Sequence, residues 1–281
     1  MNGMKRTVMI MAILMIVMLT AVPAYAAKLG IKATQMYAFN PFPVISGQEG
    51  GPNKDGDMQN RVGLLLISSN KNFPDLKGLE FDTVTRFPVN EMFATDFQFS
   101  VGAVYGTATP RIGTVNYDET EFNVPLSFSF NGEIQALNQD GQTLTFLVGP
   151  VLNLNLGVAT EESKSGTKTK VTQTAFGYQY GLQLGAQYGA TVADFEFAPY
   201  LMLSQFFGGS DKIATTVSVT GQKDQNYSDT VNFDSFMMTT LGIKVAYKPA
   251  NINFGLMYQK APDKSHNVGY NTLAFQFGWM F

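Results

Sequence analysis

Few residues in this chain could do covalent chemistry. His266 is its only histidine, in Ser265-His266-Asn267, and cysteine is absent. A serine nucleophile needs its hydroxyl within hydrogen-bond reach of the imidazole. Neighbours in an extended segment point apart, so Ser265 is badly placed to give His266 its proton. The carboxylates Glu161, Glu162, Asp224 and Asp229 are scattered and form no DxDxDG calcium loop. No glycine loop precedes a helix to cradle phosphate, and no thiolate is available for zinc. The expectation is no catalytic residue, no metal ligand and no cofactor, and the chain is not read as an enzyme.

Two other constellations stand out. Arg86, Lys244 and Lys248 lie with Asp96, Glu133, Asp194 and Glu196 close to short segments rich in Pro, Asn, Asp and Gly. As structure these would be paired charges, because a buried unpaired charge is too costly to keep. As function they would form an ion-selective constriction, biased by the excess of carboxylates toward cations. The second is a repeat in which Gly177, Gly181, Gly185 and Gly189 alternate with Gln179, Gln183 and Gln187 at every second position. It reads either as an uncharged hydrogen-bonding track for a polar solute or as glycine permitting curvature while glutamine satisfies a polar surface.

The elements that carry these residues alternate with period two. Phe122, Val124, Leu126, Phe128 and Phe130 share one face against Glu121, Asn123, Ser127 and Ser129. Leu144 to Val158, Phe176 to Tyr188 and Phe93 to Tyr105 repeat the pattern. Side chains of a strand point alternately to opposite faces, so each segment has one apolar and one polar face. Across nine such segments, with Phe195–Leu203, Met237–Tyr247, Ile252–Tyr258, Leu273–Phe281 and Leu79–Phe87, the apolar phase holds no Asp, Glu, Lys or Arg. The opposite phase holds Glu80, Asp82, Arg86, Asp96, Glu121, Glu133, Asp194, Glu196, Lys244 and Lys248. A charge on the lipid face of a membrane barrel costs about 2–4 kcal/mol at the midplane, which accounts for such a bias.

Connection lengths give an independent indication. From the C-terminus backward, long gaps at 259–272, 204–236, 159–175 and 106–121 alternate with short ones at 248–251, 190–193, 138–141 and 88–91. Membrane barrels have short periplasmic turns and long outer loops in this order. A soluble sandwich or lipocalin-like barrel would not need the alternation.

Composition fits the same class. Charged residues are 15% of 281, aromatics 13%, and the net charge is −3 with no basic stripe, so a nucleic-acid partner is not expected. Residues 1–26 read as a cleaved signal peptide: Lys5 and Arg6, the apolar run Thr7–Leu19, then Ala24-Tyr25-Ala26.

The final strand places Leu273, Phe275, Phe277, Trp279 and Phe281 on one face. This resembles the C-terminal signature of bacterial outer-membrane β-barrel proteins, including the porin-like ones. The resemblance implies a transmembrane antiparallel up-and-down barrel, a place in the outer membrane of a Gram-negative-type bacterium among its lipids, and recognition of the last strand by the barrel-assembly machinery. An even strand number with both ends periplasmic requires about ten strands, and twelve is compatible. The first two are either Asn60–Ser68 with Gly78–Phe87 or Leu29–Phe39 with Asn60–Ser68. The expected organisation is a signal at 1–26, an N-terminal extension or lumenal segment at 27–57, and a barrel at 58–281. The expected function is a small porin or channel for passive passage of hydrophilic solutes. The alternatives are a closed barrel acting as a structural protein or adhesin through its outer loops and, third, a barrel enzyme built on His266.

Overall fold

The computed structural model describes residues 58–68, 75–90, 92–108, 111–112, 115–139, 141–163, 168–260 and 271–280. The signal peptide, the 27–57 segment, the strand option at Leu29–Phe39, His266 and Phe281 lie outside the described residues.

Among the described residues twelve strands follow one another. They begin with β1 Met58–Ser68, β2 Leu76–Pro88, β3 Phe93–Ala108, β4 Arg111–Ile112, β5 Val115–Gln139 and β6 Gln142–Ser163. Then come β7 Thr169–Val192, β8 Phe195–Val219, β9 Gln225–Phe233, β10 Phe236–Tyr247, β11 Ile252–Lys260 and β12 Asn271–Met280. Ten of them close a ring of antiparallel pairs, β1-β2-β3-β5-β6-β7-β8-β10-β11-β12, sealed by β12 against β1 with Trp279 opposite Val62. The remaining two lie off the ring, β4 on β5 and β9 on β8. The first wall strands are thus 58–68 and 76–88, and the option that made 79–87 a connection is excluded.

The side-chain phase explains why the sheet closes. Along β7, Phe176, Tyr178, Tyr180, Leu182 and Leu184 point outward and are exposed, while Gly177, Gln179, Gly181, Gln183 and Gly185 are buried inside. The same alternation runs through β6, β8, β11 and β12. A sheet with a continuous apolar exterior and a polar interior has no edge to hide only if it closes on itself.

The interior is more mixed than a strict alternation predicts. Leu65, Ile67, Leu76, Val104, Met257 and Ala274 are buried in one cluster with Tyr200, which joins β1, β2, β3, β8, β11 and β12. Val151, Phe206 and Met238 make another, and Leu147 with Met202 a third.

Four turns at one end are tight. Gly141 (φ 73°) and Asn251 (φ 53°) supply the left-handed backbone at two of them, as turn chemistry requires. At the other end much of what reads as long connection is strand. β5 and β8 each run 25 residues, and β7 runs 24. Since about 9–11 tilted residues cross a bilayer, these strands carry β9 and the upper halves of β5–β8 well beyond the wall. The extension bends at an extra residue, Phe207, where β7 and β8 shift register between Tyr180 and Gly181.

Candidate functional site: the charged inner wall

Two ion networks line the half of the interior nearer the short turns. In the first, Arg61 of β1 stands directly opposite Asp82 of β2. Its Nε donates to Asp82 Oδ2 at 2.9 Å, one terminal nitrogen reaches the same carboxylate and Glu80 Oε1 at 3.1 Å, and the other donates to Gln276 Oε1 of β12. A planar guanidinium fork is suited to such simultaneous contacts, and here it ties together the three strands at the barrel seam. Arg61, Glu80 and Gln276 are at most 3% exposed. Tyr200 of β8 and Lys244 of β10 face the same charges, and Glu196 of the strand beside Lys244 adds a further carboxylate within its electrostatic reach. Gly242 is where the Tyr200 ring lies, since a Cβ at Gly242 would run into it.

The second network lies on β2, β3, β5 and β7. Arg86 Nε donates to Glu133 Oε2 at 2.9 Å. Asp96, opposite Arg86 in register, sits beside Glu133 and accepts the Asn131 amide at 2.8 Å through Oδ1. Asn131 in turn accepts from Gln183 Nε2 at 2.7 Å, so the contact reaches over β6 to β7.

Of the seven charges singled out in sequence, Arg86, Asp96, Glu133, Glu196 and Lys244 thus lie on the inner wall. Asp194 and Lys248 do not. Both sit at the rim, because the β7–β8 turn begins before Asp194 and Lys248 opens the 3₁₀ turn Lys248–Ala250. Asp194 is exposed, and its backbone carbonyl accepts the Lys248 N–H at 3.0 Å.

All seven members of the Gly/Gln repeat, from Gly177 to Gly189, face inward. Their roles differ. A Cβ at Gly181 would enter the carbonyl of Gln205, beside the bulge, and one at Gly185 would meet Met202 Sδ at 3.0 Å and Leu147 Cγ at 3.1 Å. Gln183 is committed to Asn131, whereas Gln187 Oε1 is a buried acceptor with no partner among the described residues. In the last strand Leu273, Phe275, Phe277 and Trp279 face outward and are exposed.

Sequence reasoning missed Arg61 and undervalued Glu119, Glu121 and Glu161. These three carboxylates point inward and are buried toward the long-loop end, with Glu119 opposite Glu161 in register and Glu121 accepting from Asn123 at 2.7 Å. Glu161 belongs to β6 rather than to a loop.

No protein-family model and no curated protein sequence matches the chain. Among solved structures it is similar to the outer membrane protease OmpT of Escherichia coli, with 8% identity and a TM-score of 0.51 over 81% of this chain and 96% of that one. It is also similar to a major outer membrane protein of Thermus thermophilus, with 12% identity and a TM-score of 0.40 over 80% and 100%, and to Acinetobacter baumannii CarO, with 10% identity and a TM-score of 0.31 over 78% and 97%. At these identities the likeness is one of fold, that of the bacterial outer-membrane β-barrel, which the closed ten-strand ring shares.

Proposed function

We propose that this outer-membrane β-barrel is a small porin, a narrow channel for the passive passage of hydrophilic solutes. The observation that carries the reading is the inner wall. Along β5, β6 and β7 its inward positions include Asn123, Ser127, Asn131, Asn153, Gln179 and Gln183, interrupted by Leu147 and Val151, and charged groups of β1, β2 and β10 also point inward. A ten-strand ring is wider than the eight-strand barrels whose side chains fill the interior, and far narrower than porins of sixteen strands. The two ion networks then act as the constriction. In planar bilayers the folded, purified protein is expected to give discrete conductance steps, well below those of a sixteen-strand porin. Absence of any current would overturn the reading.

A second reading is favoured by one feature, the projecting hairpins of β5–β9. A closed barrel acting through them, as an adhesin or structural protein, would carry no current but would lose surface binding when 215–231 is trimmed. Catalysis is not part of either reading.

The same proposal places the chain in the outer membrane after signal cleavage, with the short turns periplasmic and the C-terminal sequence signature ending in Phe281 read by the assembly machinery. Deleting Phe281 is expected to leave export intact while the heat-modifiable, membrane-inserted form drops several-fold. Undiminished insertion would count against that role for the terminal strand.

A further inference from the structure

The outward face of the ring carries its charges at one end. Among the described residues, three outward charges directly border the exposed apolar side chains, and all are exposed lysines at the long-loop end. Lys77 stands two residues beyond Leu79 on β2, Lys260 two beyond Tyr258 on β11, and Lys212 of β8 pairs with Phe176 of β7. None of the three is in an ion pair among the described residues. The outward carboxylates Asp118 and Glu162 lie further up, four residues beyond Phe122 and Val158. Near the short turns the outward phase is aromatic, with Phe87, Phe93, Phe195 and Trp279 exposed there.

Of the three, Lys77 heads a shaped path. Tyr105, Lys77, Leu66, Phe275 and Leu256 stand opposite one another in register across β3, β2, β1, β12 and β11, all on the outward side. Barrel strands are tilted and staggered, so such a row runs obliquely down the wall. Lys77 lies eleven residues before the end of β2 at Pro88, whereas Leu256 is only four past the start of β11 at Ile252. The row is also concave. It lines a cleft of about 410 Å³ with Ser68, Asp75 and Thr107 at its upper mouth. Leu256 and Leu273 line this cleft and a second one of about 560 Å³, which continues the apolar groove over Leu241 and Leu201. Asp75 accepts the Ser68 hydroxyl at 2.9 Å and makes no ion pair with Lys77.

Resting on the outer-membrane orientation proposed above, with the long-loop end outermost, we infer that this cleft holds a phosphate-bearing lipid of the outer leaflet. Its phosphate sits at Lys77 and one acyl chain follows Leu66, Phe275 and Leu256. With strands about 4.8 Å apart, the row from Lys77 to Leu256 spans roughly 14 Å, close to half of the ~30 Å hydrocarbon core and so the depth of one acyl chain. A lysine keeps its ammonium at headgroup level while its stem lies on the apolar wall, and a tyrosine such as Tyr105 favours the same level.

The test counts bound lipid by native mass spectrometry. The folded barrel in neutral detergent micelles is titrated with dimyristoyl phosphatidic acid, with dimyristoyl glycerol, which has the same chains without the phosphate, and with inorganic phosphate. One phosphatidic acid per barrel is expected to be retained in preference to either of the others. K77Q should weaken that retention about five-fold, the worth of one lysine near an anionic headgroup, and K77R should keep it. Heat modifiability checks that each variant is folded. Equal losses in K77Q, K212Q and K260Q would mean a general attraction to lysines and overturn the site. So would equal retention of the two lipids, retention of inorganic phosphate as strong as that of the lipid, or a dimer that excludes lipid. Conductance is measured separately, so none of these results touches the channel reading. Cleavage of the 215–231 hairpin by protease added to intact cells reports the orientation independently, and protection there would overturn the outer-leaflet assignment even with binding intact in micelles.

Discussion

Arg61→Ala is expected to be the most damaging single substitution in the barrel. It removes the cation that bonds Glu80, Asp82 and Gln276 at once, and leaves two carboxylates and a carboxamide buried at the seam between β12, β1 and β2. Breaking a buried ion pair from one side costs about 3–5 kcal/mol, chiefly through the charge left behind. The loss should be visible in urea unfolding from micelles followed by the fluorescence of Trp279, the only tryptophan, which stands opposite Val62 on the other side of the seam. The cause can be separated from lost packing. Adding E80Q and D82N to the alanine variant removes the stranded charge and should restore a large part of the stability. If the triple variant is as unstable as Arg61→Ala alone, the electrostatic account fails.

The second large effect concerns the outer face. Leu184 of β7 is 54% exposed and sits eight residues before the end of its strand, near the level where the apolar belt is deepest. Leu184→Arg places a guanidinium where no water can solvate it, at a cost of about 2–4 kcal/mol. The same substitution at Ser228, exposed on the projecting β9, should fall within about 0.5 kcal/mol of wild type. Comparing the two in folding from urea into lipid vesicles measures the membrane directly. Equal effects would mean that β7 does not face lipid.

What could be read from the sequence, and what could not, divides along the physics of each signal. The walls of β6 and β7 were legible because both faces are pure: Leu152 and Leu156 alternate with Asn153 and Asn155, and Tyr178 and Leu182 with Gln179 and Gln183. Each residue there announces its own side. In β1 the phase is blurred, since Leu64 and Leu66 face out while Leu65 and Ile67 are buried within. Arg61 therefore belonged to no recognisable polar face, although it is the hub of the seam. Its partners explain the rest of the difficulty. Gln276 is 215 residues away in sequence, and only closure of the ring brings it alongside. Asp194 and Lys248 failed for the opposite reason: they continue the polar phase of their strands, but each strand ends just short of them. Alternation identifies a face and gives no notice of where the face stops.

The projecting hairpin has one more consequence. Among the described residues β9, nine residues long, pairs only with β8, and the N–H and C=O groups of every second residue point from its other side to whatever stands beside it. Such an unprotected edge is a template for strand-to-strand adhesion between copies. Asp229 lies at the midpoint of β9 and is exposed. Two edges meeting antiparallel in the register that pairs all nine residues would bring Asp229 against its own copy, carboxylate to carboxylate. One acidic side chain thus discourages full-length self-pairing, a safeguard that matters most where many barrels stand side by side in one membrane.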